Sequence, residues 1–137
     1  MKFLVFPWVL FCLFSCNANE PLPIEFSAPD PQPRKGSVTS ADGVEISFTR
    51  RGSGETALMF IHGWMCDSSF WEAQVDVFAE DFTVITVDLG GHGESGLDRK
   101  EWTISSLGSD VQAVAEEAEL RQVILIGHSM GGPVAMH

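Results

Sequence analysis

The chain has 137 residues, which is the size of one ordinary domain. Hydrophobic residues make up 45% of it and charged residues 20%, a balance that permits a globular core and argues against general disorder. The formal net charge of −11 argues against a nucleic-acid partner, because binding to phosphates requires clustered Lys and Arg.

Residues 1–16 predict an export signal. Lys2 precedes an apolar run, residues 3–14, that is short for a bilayer span and typical of a secretory signal. The tetrad "LFSC" that ends at Cys16 resembles a bacterial lipobox, which implies an exported, membrane-anchored lipoprotein, lipidated at Cys16 and facing the periplasm or the cell exterior. The alternative is an ordinary cleaved signal, because small residues are more usual than Phe14 inside that cleavage site.

Residues 17–36 predict a Pro-rich tether. Five of the seven prolines lie between residues 17 and 35, and each removes a backbone donor and fixes φ. A disordered leader without function is the alternative.

The predicted domain follows the tether and is residues 37–137. Because Cys66 is the one cysteine in it, the prediction of export depends on the signal and not on a disulfide.

The domain begins with a predicted β-hairpin and a buried strand. Val38 starts the first strand, Asp42-Gly43 forms the turn, and Val44, Ile46 and Phe48 alternate along the second strand. The continuous apolar run "ALMFIHG" then predicts a strand that is buried on both faces.

A helix and another buried strand are predicted next. Ser69 and Glu72 are the ends of an S-x-x-E capping box, and Trp71, Val75 and Phe78 fall on the core face of the helix that follows. The β-branched run "FTVITVDL" predicts a buried strand that leads into the loop "GGHGESG".

A second helix and a last strand complete the predicted order. The helix has apolar residues at steps of three and four, namely Ile104, Leu107, Val111, Val114 and Ala118. The strand "QVILIG" leads directly into a turn. The order of β-hairpin, β, α, β, α, β predicts an α/β fold with a mostly parallel sheet and flanking helices.

The turn "GHSMGG" carries the strongest chemical pattern. Gly127, Ser129 and Gly131 form G-x-S-x-G between a predicted strand and a helix-compatible segment. A serine at such a turn must adopt strained dihedrals, and side chains at the two flanking glycines would collide with neighbouring backbone. Ser129 is therefore the candidate nucleophile.

Three motifs in order resemble the α/β-hydrolase superfamily, in its serine esterase, lactonase and perhydrolase-like branch. They are "FIHGWMCDSSFW", "VDLGGHGESG" and "GHSMGG". The resemblance covers residues from about 37 to 137 and implies the N-terminal half of that fold, which is incomplete. It implies hydrolysis of a small-molecule ester or related acyl substrate, without a metal or organic cofactor.

The resemblance also implies roles for individual residues. Ser129 corresponds to the nucleophile that forms an acyl-enzyme, and the backbone N–H groups of Trp64 and Met130 correspond to the oxyanion hole. A serine at position 129 argues against the dehalogenase and epoxide-hydrolase branches, which need a carboxylate there. The acid and the histidine of the family's triad are expected beyond residue 137, so the chain is expected to be a fragment that is inactive alone.

The histidines and acids near these motifs are not predicted to act as the base. His62, His92 and Asp88 are expected to brace loops, and His128 is expected to point away from the hydroxyl of the serine that follows it. Cys66 either lines the pocket or is a small buried hydrophobe.

Two other interpretations stay open. One is a non-catalytic surface binding module or pseudoenzyme with a hydrolase-like half-fold, and the other is the product of a decayed gene. Neither the substrate nor the oligomeric state follows from the sequence.

Overall fold

A computed structural model describes residues 32–137 of the chain. The predicted export signal, the lipidation of Cys16 and most of the predicted tether lie outside the described residues. Within residues 32–137, none of the helices has the length and apolar character needed to cross a bilayer.

The described residues form a five-stranded mixed sheet in the spatial order β1-β2-β4-β3-β5. The strands are β1 (Arg34–Thr39), β2 (Glu45–Arg51), β3 (Thr56–Ile61), β4 (Thr83–Val87) and β5 (Gln122–Gly127). The helices are α1 (Glu72–Phe78), α2 (Ile104–Glu117) and α3 (Gly131–Ala135), and a 3-10 turn, Ser68–Trp71, precedes α1.

Two kinds of strand pairing meet in this sheet. β1 and β2 form the predicted hairpin, and β2 also pairs antiparallel with β4. β3 lies between β4 and β5 and is parallel to both, with α1 and α2 as the crossover helices. The predicted α/β fold is confirmed. Because the three parallel strands end at the same edge, the loops that follow them lie together there.

Hydrophobic clusters cover both faces of the sheet. Met59 and Ile61 of β3 pack in the cluster that includes the buried residues of α2, whereas Leu58 and Phe60 pack with Trp71 on the other face. This alternation follows from the two-residue period of a strand. Burial of each such side chain contributes about 1.5–3 kcal/mol to stability. β3 is therefore firmly held from both faces, and it carries the first loop of the site.

Two predictions about local structure are wrong in detail. β1 begins at Arg34 rather than at Val38, because residues 34–37 continue the ladder with β2, and it takes up the last residues of the predicted tether. The predicted S-x-x-E capping box does not form. The side chain of Asp67 caps instead, accepting a hydrogen bond of 2.9 Å from the backbone N–H of Ser69.

The helical core faces follow the prediction only in part. Trp71 is buried, as expected from its spacing, but Phe78 is 38% exposed at the end of α1. In α2 the apolar stripe is buried from Leu107 onward, while Ile104 in the first turn is also 38% exposed. End positions reach past the sheet that covers the middle of each helix.

β5 is one of the two outer strands of the sheet formed by residues 32–137, and β3 is its single partner strand there. Ile124 and Leu125 on this strand are 51% and 39% exposed. The strand that leads to Ser129 therefore keeps apolar side chains uncovered within the described part of the chain.

Candidate active site

Ser129 occupies a tight turn between β5 and α3. Its φ of 52° lies in the left-handed region, where a residue with a Cβ is strained. The turn is closed by a hydrogen bond of 2.8 Å from the N–H of Gly131 to the carbonyl of His128. The conformation is that predicted for the G-x-S-x-G pattern.

The flanking glycines are required by close backbone contacts. A Cβ on Gly127 would lie 2.2 Å from the carbonyl oxygen of Gly131, and a Cβ on Gly131 would lie 2.2 Å from the carbonyl oxygen of Ile61. Real Cβ atoms essentially never approach other atoms within 3.0 Å. Both positions therefore exclude a side chain, as the sequence predicts, and the turn packs directly on the end of β3.

The loop after β3, residues 62–66, lies beside Ser129 and is called the β3 loop below. A Cβ on Gly63 would lie 3.2 Å from the Cβ of Ser129, so the two turns are in near contact. The β3 loop turns through a hydrogen bond of 3.2 Å from the N–H of Cys66 to the carbonyl of Gly63, with Met65 at a φ of 61°. Trp64 and Met65 project outward and are 60% and 82% exposed.

The backbone N–H groups of Trp64 and Met130 are the two predicted oxyanion donors. Neither N–H donates a hydrogen bond to any other residue in the part of the chain that the structure describes. Both donors belong to the segments that meet at Ser129. They therefore remain available to an external acceptor.

His62 braces two loops. Its ring is fully buried, and the backbone N–H of Leu89 donates to Nε2 at 3.1 Å. Nδ1 must therefore carry the proton, and it donates to the carbonyl of Gly63 at 2.8 Å. Burial lowers the pKa of His62 below its ordinary value, which favours this neutral form. The loop-bracing role expected from the sequence is confirmed.

The loop after β4, residues 89–96, is called the glycine loop. Asp88 at its start accepts hydrogen bonds from the backbone N–H groups of Ser68 at 2.7 Å and Glu94 at 2.9 Å. His92 in the loop contacts the ring of Trp64 edge to face, with 5.4 Å between ring centroids. Asp88 and His92 therefore brace backbone, as expected, and the glycine loop supports the β3 loop.

The other two histidines are also directed away from the serine. His128 stacks on Phe70 with 4.5 Å between ring centroids, and Nε2 of His137 lies 2.7 Å from the hydroxyl of Ser105. Among residues 32–137, no histidine is hydrogen-bonded to the hydroxyl of Ser129. Cys66 is partly exposed rather than buried, and it forms no disulfide among the described residues.

A buried charge network, which the sequence analysis missed, adjoins the glycine loop. The side chain of Arg99 is 1% exposed and bonds to Asp42 on the hairpin turn and to Asp110 in α2. Asp110 also accepts hydrogen bonds from Ser40 and from Gly90. The sequence contained one sign of this network, because Asp110 falls on the same face of α2 as the buried apolar residues. A charge at a core position predicts a buried partner.

No three side chains of His, Cys, Asp or Glu come together as possible metal ligands within residues 32–137. What the described residues assemble is a strained serine, two unused backbone donors and a braced loop. These are parts suited to the chemistry of an acyl carbonyl.

Known proteins are similar to this chain in sequence and in fold. Residues 56–137 match the sequence profile of the family described as alpha/beta hydrolase fold. The bifunctional esterase/perhydrolase DCH of Acinetobacter calcoaceticus is 35% identical over 99 residues, which is 71% of this chain and 36% of that protein.

Two solved structures superpose well on the described residues. Est816, an enzyme that degrades N-acyl homoserine lactones, gives a TM-score of 0.70 at 31% identity over 74% of this chain and 38% of its own. The epoxide hydrolase CorEH gives a TM-score of 0.71 at 29% identity over 76% of this chain and 36% of its own. This chain spans about a third of the length of these proteins. With a profile match over most of the described residues and this architecture, the chain belongs to the α/β-hydrolase fold family.

Proposed function

We propose that the protein is a serine hydrolase that cleaves an ester or a related acyl substrate through an acyl-enzyme. The observation that carries the proposal is the left-handed φ of 52° at Ser129, in a turn that excludes side chains at both flanking glycines. Such strain persists in a fold only where the surrounding structure enforces it, and it clusters at reactive sites. The esterase and lactonase relatives support the same chemistry.

The proposed reaction begins at the hydroxyl oxygen of Ser129. This oxygen forms a bond to the acyl carbon, and the carbonyl electrons move onto the carbonyl oxygen. The N–H groups of Trp64 and Met130 donate to that oxyanion. When the tetrahedral intermediate collapses, the alcohol leaves with the proton of the serine, delivered by a general base. Water then repeats the sequence, releases the acid and restores the hydroxyl.

The proposal does not place the general base among the described histidines, and the absence of a hydrogen bond from any of them to the hydroxyl of Ser129 supports this. By the order of the family's triad, the proposal assigns the acid and the histidine to chain that follows residue 137 in the complete protein. The partial coverage of the relatives and the uncovered Ile124 and Leu125 of β5 support this assignment. Without a base, residues 32–137 alone retain at most the weak catalysis of binding and oxyanion stabilisation.

The serine at position 129, in the turn between β5 and α3, favours acyl transfer over epoxide opening. The similarity to CorEH concerns the whole fold, which hosts more than one reaction. A hydroxyl at position 129 forms an ester with an acyl group, whereas the epoxide-hydrolase branch is expected to need a carboxylate there.

We extend the proposal to location, with export and lipid anchoring through Cys16. Growth with a labelled fatty acid in a bacterial host should label the wild-type protein and leave Cys16→Ser unlabelled. Absence of label on the expressed wild-type protein would reject the anchor and favour an ordinary cleaved signal.

A fluorophosphonate probe tests the proposed chemistry on the complete gene product, including any reading frame after codon 137. We expect labelling of the wild-type protein and of Ser105→Ala, and none of Ser129→Ala. Ser105 is the matched control because it is an exposed serine beside a histidine. A folded complete product that the probe leaves unlabelled would reject the serine hydrolase and favour the non-catalytic binding module.

A further inference from the structure

Asp110 is a fully buried carboxylate with four hydrogen-bond donors around it. Nη1 and Nη2 of Arg99 form a fork on it at 2.9 and 2.5 Å. The hydroxyl of Ser40 donates at 2.6 Å, and the backbone N–H of Gly90 donates at 3.0 Å. Because burial of a charge is costly unless every lone pair has a donor, this geometry is sharply defined. Gly90 is the one backbone group of the glycine loop that this carboxylate holds directly.

The glycine loop is confined from two sides at this point. A Cβ on Gly90 would lie 3.0 Å from Nη1 of Arg99 and 3.1 Å from a carboxylate oxygen of Asp110. The next residue, Gly91, has a φ of 82°, and a Cβ there would lie 2.5 Å from the ring of Trp102. The loop therefore has little freedom to shift relative to α2.

From Gly90 the contacts continue to the β3 loop. The residue before it, Leu89, donates its N–H to His62, whose other nitrogen donates to the carbonyl of Gly63. Two residues after Gly90, the ring of His92 contacts the ring of Trp64. Leu89 and His92, on either side of Gly90, thus hold the segment that carries the N–H of Trp64.

We propose that Asp110, held by Arg99, is a positioning residue for the oxyanion hole. It fixes Gly90, and the glycine loop then holds the N–H of Trp64 at the distance from Ser129 that the reaction needs. The inference rests on the proposed function of Trp64 and Ser129. Arg99 and Asp110, whose side chains are almost fully buried, then affect the rate of acyl transfer and not stability alone.

Arg99 and Asp42 hold each other in their charged forms. Burial lowers the pKa of Arg99, but its hydrogen bonds to Asp110 and Asp42 outweigh this effect and leave the pKa above its ordinary value. The hydrogen bond to Arg99 lowers the pKa of Asp42. The guanidinium of Arg99 therefore keeps its charge throughout the ordinary pH range, and the hydrogen bonds that it donates to Asp110 are not lost by its own deprotonation.

Asp42 supplies a matched control. It bonds to the same guanidinium, at 2.6 Å to Nε and 3.2 Å to Nη2, but it lies on the hairpin turn, and the N–H of Gly90 donates to Asp110 and not to Asp42. Asp42→Asn and Asp110→Asn are the same chemical change on opposite sides of Arg99. If the network only stabilises the fold, both substitutions should change the measured properties. If Asp110 positions Gly90, the change should come from Asp110→Asn.

The experiment has two readouts on the complete gene product. Amide and imidazole NMR signals of Gly90, Trp64 and His62 are compared in a Ser129→Ala background, and fluorophosphonate labelling rates are compared with Ser129 present. Asp110→Asn should shift all three sets of signals and slow labelling at least about tenfold, toward the cost of losing an oxyanion donor. Asp42→Asn should leave the signals in place and the rate within about twofold of wild type.

Two results would overturn the inference. One is a folded Asp110→Asn protein with the wild-type Trp64 signal and labelling rate, and the other is an equal response from Asp42→Asn. If Asp110→Asn does not fold, Ser40→Ala removes one donor from the same carboxylate and must give a smaller shift of the same signals; no shift rejects the proposal. Failure of labelling in the wild type would reject the proposed function, while the NMR comparison would still test the positioning.

Discussion

Two adjacent glycines with opposite surroundings give the sharpest test of the packing around Ser129. A Cβ on Gly131 would lie 2.2 Å from the carbonyl oxygen of Ile61 and 2.8 Å from that of His62. A Cβ on Gly132 would meet nothing within 4 Å. Both residues lie in the first turn of α3, and both have φ outside the left-handed region. Gly131→Ala and Gly132→Ala therefore differ in packing and in little else.

The expected free energies follow from these distances. Ala is favoured over Gly in a helix by up to about 1 kcal/mol, so Gly132→Ala should be neutral or slightly stabilising. At Gly131 the turn must move away from β3 by at least 0.8 Å, the difference between the 3.0 Å limit and the 2.2 Å contact. Overpacking of this kind costs about 1–3 kcal/mol. Because the helix-propensity gain is common to both variants, they should differ by the overpacking cost alone, about 1–3 kcal/mol.

Urea unfolding of the complete gene product, followed by circular dichroism, measures this difference. The slope of free energy against urea should be equal in the two variants, so that the midpoints report stability alone. Gly131→Ala should also be labelled more slowly by a fluorophosphonate, because the displacement separates Ser129 from the β3 loop. Free energies of unfolding that agree within about 0.5 kcal/mol would refute the packing argument.

Three further predictions concern His62, Ser129 and Asp67. Since burial lowers the pKa of His62, the folded state excludes a proton that the unfolded state binds. The stability that the neutral His62 contributes is complete above 6.5, its ordinary pKa, and is lost as the pH falls through the lowered pKa of the folded state. The urea midpoint should therefore fall less in His62→Gln than in wild type when the pH is lowered from neutral to mildly acidic. Ser129→Gly should be more stable to urea than Ser129→Ala by about 1 kcal/mol, because glycine alone relieves the positive φ; equal stability would mean that the turn is unstrained. Asp67→Ala should lower the free energy of unfolding by about 1 kcal/mol through loss of the cap, whereas Ser69→Ala should change it by less than about 0.5 kcal/mol. A larger loss in Ser69→Ala than in Asp67→Ala would mean that the S-x-x-E capping box forms after all.

Local patterns predicted the parts of this fold that local physics controls. The alternation of Val44, Ile46 and Phe48 predicted the second strand of the hairpin because side-chain burial has the period of the strand itself. The glycines around Ser129 predicted close backbone contacts because only glycine fits them. The start of β1 at Arg34 was missed, since a ladder continues as long as the partner strand offers hydrogen bonds, whatever side chains it carries.

Contacts between distant segments were the part that the sequence could not supply. Arg99 joins Asp42 and Asp110 across 57 and 11 positions, and no spacing rule relates these separations. The cap at Asp67 was missed for a related reason. Asp67 and Ser69 both satisfy the sequence rule for a helix start, and the choice between them depends on how the β3 loop approaches the sheet.

The two outer strands of the described sheet differ in a way that sets the direction in which the sheet can grow. β1 carries Arg34, Lys35 and Gly36, and charges and glycine on an outer strand oppose pairing with another strand. β5, "QVILIG", carries no charge and offers apolar side chains beside an unpaired row of backbone groups. The β1 edge of the sheet therefore disfavours pairing with a further strand, and the β5 edge favours it. Any further strand, whether from the same polypeptide or from a neighbouring molecule in a concentrated solution, should add beside the strand that carries the reactive turn.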